Sequence, residues 1–271
     1  MMTRTRNIIT CTMALLAAMS CSDVGEEERF VDEGIMQAQR SILLEDFTGQ
    51  RCVNCPTAMK EIEKLQSLYG DSLVAVGIYG GPYAKTPGGK RYPLTNDIGE
   101  HYADQRKIEE QPFGYINRVR STSNYNLWAQ MVSEQITQKT PIAITLSNDY
   151  DEACRQLTIG VKAYSSQDIA DARLQVWITE DGITSRQETE SGNDNNFVHN
   201  HVLRASVTDW DGDPVELGEG KRLDKQYTIT LDEGWNAGNL DVVAFIFTPA
   251  GVQQAKKADA LPTHANGKPS E

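Results

Sequence analysis

The chain has 271 residues, 26 of them Lys or Arg and 38 Asp or Glu, giving a net charge of −12 at neutral pH. This acidic balance argues against a nucleic-acid partner and against electrostatic adhesion to anionic lipid, since both need a basic surface. Beyond the N-terminal stretch, no segment approaches the roughly 20 apolar residues of a membrane-spanning helix; the best run is residues 242–247.

Residues 1–20 read as an export signal. Arg4 and Arg6 give a positive start, and residues 8–18 form an apolar core too short to span a bilayer. Ala18-Met19-Ser20-Cys21 follows. A small residue directly before a Cys at the end of such a core resembles the bacterial lipoprotein signal, although the usual Leu three positions before the Cys is missing. The resemblance implies cleavage before Cys21 and lipidation of its thiol, so that the lipid alone would attach the protein to a membrane. Ordinary secretion with Cys21 as a spare thiol is the alternative. The mature chain would keep 24 basic and 38 acidic residues, a net charge of −14. Residues 21–38 are polar and acidic, with Glu26-Glu27-Glu28, and read as a flexible tether. Acids just after the lipidated Cys resemble the surface-transport signal of Bacteroidetes lipoproteins; a solvated spacer explains them equally well.

From residue 39 to 139 the pattern alternates between strand and helix. Strands are expected over 41–47, 72–79 and 113–119, and helices over 57–69, 96–110 and 126–138. Ala58, Ile62, Leu65 and Tyr69 share one helix face, and Gly70 terminates that helix. Residues 80–94, rich in Gly, Pro and Tyr, read as a loop. Strands separated by helices argue for a sheet with parallel members and helical cover.

Cys52-Val53-Asn54-Cys55 falls at the turn between the first strand and the first helix. A dithiol there exposes one sulfur near the positive end of a helix dipole, which favours thiolate. Asp46 precedes Cys52 by six positions. An apolar strand running into Asp-Phe, with the first Cys at that spacing, resembles the thioredoxin active-site segment. The resemblance implies Cys52 as the attacking thiolate and Cys55 as the resolving thiol. It further implies Asp46 as the buried acid that moves a proton for Cys55, and Pro112 as a cis-proline facing the sulfurs. Arg51 stands where thioredoxins usually carry Trp, and its charge would lower the thiol pKa further. Val53-Asn54 is not the Gly-Pro of the reductants, and Pro56 follows Cys55 directly, so redox direction stays open. A structural disulfide in an inactive fold is the alternative. A zinc site is the weaker reading, because no second C-x-x-C or suitably spaced His pair accompanies the first. No metal or cofactor is expected.

After residue 139 the helices stop. Alternation at Ile142-Ile144-Leu146, Leu157-Ile159-Val161-Ala163, Leu174-Val176-Ile178 and Tyr227-Ile229-Leu231 predicts short strands separated by turns at 191–196, 211–214 and 218–220. The expected fold class is an α/β thioredoxin-like domain over 39–139, followed by an all-β immunoglobulin-like sandwich over 140–257 and a polar tail over 258–271. His199-Asn200-His201 places two imidazoles on one strand face as a conceivable metal pair, but no third ligand is identifiable and ordinary histidines are favoured. Asp209-Trp210-Asp211-Gly212-Asp213 lacks the spacing of a calcium loop and reads as a β-turn. Trp128, Trp177, Trp210 and Trp235 are scattered and expected in the core. Cys154 is expected as a small buried hydrophobe.

Four segments together resemble one family: the lipoprotein signal; Glu45-Asp46-Phe47-Thr48-Gly49 before Cys52-x-x-Cys55-Pro56; Ile116-Asn117-Arg118 after Pro112; and His199-Asn200-His201-Val202-Leu203-Arg204. They resemble the Bacteroidetes outer-membrane lipoprotein family named for a twenty-eight-kilodalton member. The resemblance implies an outer-membrane lipoprotein with a thioredoxin-like domain and says little about mechanism. The function expected from the C-x-x-C site is thiol–disulfide exchange with exported proteins or with a redox partner in the envelope. The rival is a non-enzymatic surface lipoprotein, an adhesin or assembly component, whose disulfide is structural.

Overall fold

Strands β1 (Ala38–Gln39) and β2 (Ile42–Thr48) open the described part of the chain, residues 38–261 of the computed structural model. Helix α1 (Cys55–Tyr69), β3 (Leu73–Tyr79), α2 (Asp97–Gln105), β4 (Phe113–Ile116), β5 (Arg120–Thr122) and α3 (Trp128–Ile136) follow. The rest is strand: β6 (Lys139–Thr140), β7 (Ile142–Asp151), β8 (Gln156–Ser165), β9 (Arg173–Glu180), β10 (Ile183–Thr189), β11 (Gly192–His199) and β12 (Val202–Ser206), then β13 (Asp213–Pro214), β14 (Arg222–Thr230), β15 (Leu240–Thr248) and β16 (Gly251–Asp259). The expected lipidation site Cys21, the expected export signal, nearly all of the expected tether and most of the expected tail lie outside the described residues. No helix among the described residues is long and apolar enough to cross a membrane.

The fold is mostly β with helical cover. Helix α1 forms where expected, with Pro56 in its first turn and Gly70 closing it at φ 54°. Its Ala58, Ile62 and Leu65 are buried. Helix α2 starts on Asn96, whose Oδ1 accepts the Gly99 N–H at 2.8 Å. It ends at Gln105, short of the expected Glu110.

One sheet runs through both halves of the chain, in the order β16-β15-β9-β12-β3-β2-β4-β5, with β13 beside β9. Strands β2 and β12 flank β3 in parallel; the other pairings are antiparallel. A separate three-stranded sheet, β14-β8-β7, packs across β9 and β15 through Leu157, Ile159, Val161, Val176, Val242 and Ala244. On the same face, α1 and α3 cover β2 and β3 through Ile62, Leu65 and Trp128 against Ile42, Leu44 and Ala75. The opposite face joins Leu43, Phe47 and Val76 from the first half to Trp177, Val243 and Phe245 from the second, with Tyr102 of α2 among them.

The change of pattern near residue 140 therefore marks where helices end, not where one core stops and another begins. The described residues, 38–261, all fall within one compact unit. The join is tight: the Gly77 N–H donates to the His201 carbonyl at 2.7 Å, and the Trp177 indole donates to the Tyr102 hydroxyl at 3.1 Å.

Two smaller expectations are corrected. The polar stretch 191–196, expected as a turn, lies mostly within β11, which pairs only with β10 in a two-stranded ribbon. Its residues are exposed, so they carry no apolar alternation to reveal a strand. Cys154 is exposed rather than buried, in the turn between β7 and β8.

Candidate functional site

Strand β2 delivers three expected site residues to one end of the sheet. Asp46 lies near its C-terminal end, and Cys52 and Cys55 sit in the turn leading into α1, joined as a disulfide. Strand β4 runs antiparallel to β2 with Phe113 opposite Phe47, which brings Pro112 to the same end. The Gln111–Pro112 bond is cis, as the resemblance implied. Gln111 fastens this loop: its Nε2 donates to the Thr48 and Gly80 carbonyls at 2.7 and 2.8 Å, while its Oε1 accepts the Tyr83 N–H at 2.9 Å. Arg51 turns to the 80–94 loop, stacking over the Tyr83 ring at 5.4 Å and donating to the Lys85 carbonyl at 3.2 Å.

The expectation of an exposed first sulfur does not hold. Cys52 is 2% exposed and Cys55 fully buried. The reason is the β10–β11 ribbon, contributed by the second half of the chain. Gln187 of β10 donates through Nε2 to the Cys52 carbonyl at 2.9 Å and to the Gly49 carbonyl at 3.3 Å. Gln50 reaches back, donating to Ser185 Oγ at 3.0 Å and the Arg186 carbonyl at 2.6 Å, and its own carbonyl accepts the Glu188 N–H at 2.8 Å. Gln50 and Gln187 are both fully buried. They form a hydrogen-bonded clasp across the dithiol turn that no short motif in the sequence announces.

Asp46 is 2% exposed, and its Oδ1 has no hydrogen-bond partner. Burial pushes its carboxyl up to about 7. Beside it, Tyr79 is also buried, and its hydroxyl sits 2.7 Å from His199 Nδ1. The His199 Nε2 faces the Ser185 carbonyl at 3.3 Å, so Nε2 carries the proton and Nδ1 accepts from Tyr79. Burial lowers His199 to about 4 and raises Tyr79, the latter helped by the Asp46 charge. Both groups are therefore neutral near pH 7.

The two imidazoles of the His-Asn-His segment do not converge. His201 leaves the strand at φ 57° and places its Nδ1 3.0 Å from Asp181 and its Nε2 3.0 Å from Gln66 Oε1 of α1. Among the described residues no cluster of three or more His, Cys, Asp or Glu could hold a metal ion. The Ile-Asn-Arg segment is a structural joint. Asn117 Oδ1 accepts the Leu43 N–H at 2.8 Å, and its Nδ2 donates to Gln135 at 2.9 Å. Trp128 and Trp177 are fully buried as expected; Trp210 is 41% exposed.

A cavity of 250 Å³ lies between α1 and the β11–β12 segment, lined by Asp46, Pro56, Met59, Gly77, Val198 and His201 among others.

Comparison with known proteins places the chain in a family. The model of the outer membrane protein Omp28 family matches residues 100–261, more than half of the chain. No curated protein matches significantly. Among solved structures, HBP35 of Porphyromonas gingivalis is similar with a TM-score of 0.64 and 16% identity, over 86% of this chain and 80% of that one. A protein of Agrobacterium tumefaciens solved by structural genomics is similar at TM-score 0.52 and 13% identity, over 85% of this chain and all of that one. A domain of the outer membrane lipoprotein Omp28 from P. gingivalis matches at TM-score 0.32 and 19% identity, over 44% of this chain and 88% of that one. The chain belongs to the Omp28 family of outer membrane proteins.

Proposed function

We propose that this member of the outer membrane Omp28 family is anchored through a lipid on Cys21 and exchanges disulfides with exported proteins through Cys52 and Cys55. In this reading β2, β3 and β4 with α1 and α3 are a thioredoxin-like unit. The β7–β8–β14 sheet and the strands it covers are an immunoglobulin-like sandwich fused to that unit through a common sheet.

One observation carries the proposal. The cysteine pair at the head of α1, the buried Asp46 on the strand that feeds it, and the cis Gln111–Pro112 bond meet at one end of the same strands. In the reductive direction the Cys52 thiolate attacks one sulfur of a substrate disulfide, and the other substrate sulfur leaves as thiolate. Cys55 gives its proton to Asp46 and then displaces the substrate from Cys52. The substrate leaves as a dithiol and Cys52–Cys55 as the disulfide. The oxidative direction is the reverse, with the Asp46 carboxyl returning the proton to Cys55. A carboxyl held at about 7 by burial is suited to both directions at neutral pH. Substrate reaches Cys52 when the β10–β11 ribbon swings aside. The ribbon lies off the large sheet and is flanked by Gly182 and His201 at φ 73° and 57°.

The burial of both sulfurs favours a second reading, a non-enzymatic surface lipoprotein with a structural bridge. Two measurements separate them. Exchange requires a reduction potential in the range of known exchange enzymes, and a Cys55→Ser variant that accumulates mixed disulfides with envelope proteins. A potential below about −300 mV, with nothing trapped, selects the structural bridge.

A further inference from the structure

The cavity beside α1 has a built interior. Asp46, Ile62, Ala75 and Gly77 form its buried side, and Lys60, Glu63 and Val198 its exposed side. The buried carboxyl has no ion-pair partner among the described residues, and the exposed side of the cavity carries one base, Lys60, and one acid, Glu63, whose formal charges cancel. Asp46 is thus the net charge of the site. A carboxylate in such surroundings gains most from a charge-assisted hydrogen bond.

The origin of the space is legible in the sheet register. Asp46 on β2 lies beside Gly77 on β3, a parallel neighbour on the same face. Having no side chain, residue 77 neither fills the cavity nor offers Asp46 a donor. Crowding does not require the glycine: a Cβ built there meets its nearest atoms, the Asn200 and His201 carbonyl oxygens and the Tyr79 ring, at 3.6 Å, ordinary contact. The empty position leaves the carboxyl available to something from outside.

We propose that this cavity binds a primary ammonium on a short unbranched aliphatic chain, its head paired with Asp46 and its methylenes against Met59, Ile62 and Phe197. The apolar lining suits the methylenes and excludes the water that would otherwise screen the pair. The volume of 250 Å³ lies just below the usual range for drug-sized ligands, matching a group of this size. A free alkylamine and a lysine side chain of a partner polypeptide carry the same chemistry.

The test uses the intact oxidised protein at about pH 8, where the amine is still protonated and a buried carboxyl of this kind is largely ionised. It needs no exchange activity, so it fails or succeeds separately from the redox proposal. Amide resonances of Gly77, Asn200 and His201 are followed by NMR during titration with n-butylammonium, n-butanol and butyrate. Saturable shifts with n-butylammonium, at least about tenfold tighter than with butanol and absent with butyrate, are expected. Asp46→Asn should erase the preference for the ammonium over the alcohol, and Gly77→Val should weaken all binding by filling the space. N-acetyl-lysine amide binding more tightly than butylammonium assigns the site to a polypeptide lysine; the reverse assigns it to a free amine. Equal affinity for butanol and butylammonium in the unaltered protein overturns the proposal, whatever the variants do. So does the absence of saturable shifts with any probe, which leaves a cavity holding water alone.

Discussion

Glu45 and Asp46 are adjacent acids on one strand, each 2% exposed, and they occupy opposite electrostatic worlds. Strand geometry points them to opposite faces of the sheet. Glu45 meets Arg118, whose Nε lies 3.0 and 3.1 Å from its two oxygens and whose Nη2 lies 2.7 Å from Oε1. The same guanidinium lies over the rings of Trp177, Phe245 and Phe247 at 5.6, 4.8 and 4.7 Å. Asp46, on the other face, has a cavity and an unpartnered oxygen. The fully satisfied acid is a joint between the two halves of the chain. The unsatisfied one lies on the strand that leads into the dithiol turn. Burial alone does not distinguish structure from chemistry; the presence or absence of a partner does.

The largest effect should come from removing one side of this comparison altogether. Residues 39–139 expressed alone lose Trp177, Phe245 and Phe247 from the Arg118 face and β12 from the edge of β3. No cooperative unfolding transition is expected by circular dichroism. A fragment that unfolds cooperatively would show that the α/β half closes its own core. Next, Arg118→Ala strands Glu45 as an unpaired buried charge and should lower stability by about 3–5 kcal/mol in denaturant titration. A loss below about 1 kcal/mol would mean that water reaches Glu45.

Asp46→Asn should act in the opposite direction. The folded carboxyl titrates at about 7 against 3.8 for the free group, so between those values the folded state holds a proton that the unfolded state has lost. Stability therefore falls as pH rises from about 4 through about 7, by up to about 4 kcal/mol. The Asn variant should lack this fall and be the more stable protein at pH 8. His199 contributes the opposite slope. Lowered to about 4 by burial, it adds stability that is present above its ordinary 6.5 and is lost as pH falls toward 4. A His199→Gln variant should therefore display the Asp46 slope more steeply below pH 6.5; an unchanged profile would argue that His199 is solvated.

The smallest effect on global stability concerns the clasp. Gln187→Ala removes the donors to the Cys52 and Gly49 carbonyls, at a cost of about 1–2 kcal/mol. Its sharper readout is access. Reduction of the Cys52–Cys55 disulfide by a small phosphine should become several-fold faster, because the ribbon over the sulfurs is loosened. An unchanged rate would place the controlling barrier elsewhere.

Much of the site was readable from spacing. The distance from Asp46 to Cys52, the helix that follows the second cysteine and the Pro112 opening the next strand are local features, and local features survive in a linear sequence. The clasp was not readable. Gln50 and Gln187 lie far apart in the chain, and β10–β11 is an exposed polar ribbon without the apolar alternation that marks a half-buried strand. The Tyr79–His199 hydrogen bond was hidden for the same reason, so the His-Asn-His segment could be weighed only as a metal pair or as ordinary histidines.

The sequence by itself determined the three helices, the main strands of the first half, four of the alternating strands of the second, the position of the dithiol and the acidic balance, because periodicity, helix termination and charge act over a few residues. Tertiary structure alone decided that β12 joins β3 and fuses two apparent domains into one sheet. It decided that a ribbon from the second half closes over Cys52, and that Glu45 finds a cation while Asp46 does not. These outcomes depend on which distant strands pair and on the face each residue then presents, and a single residue's shift in register would exchange the surroundings of the two acids.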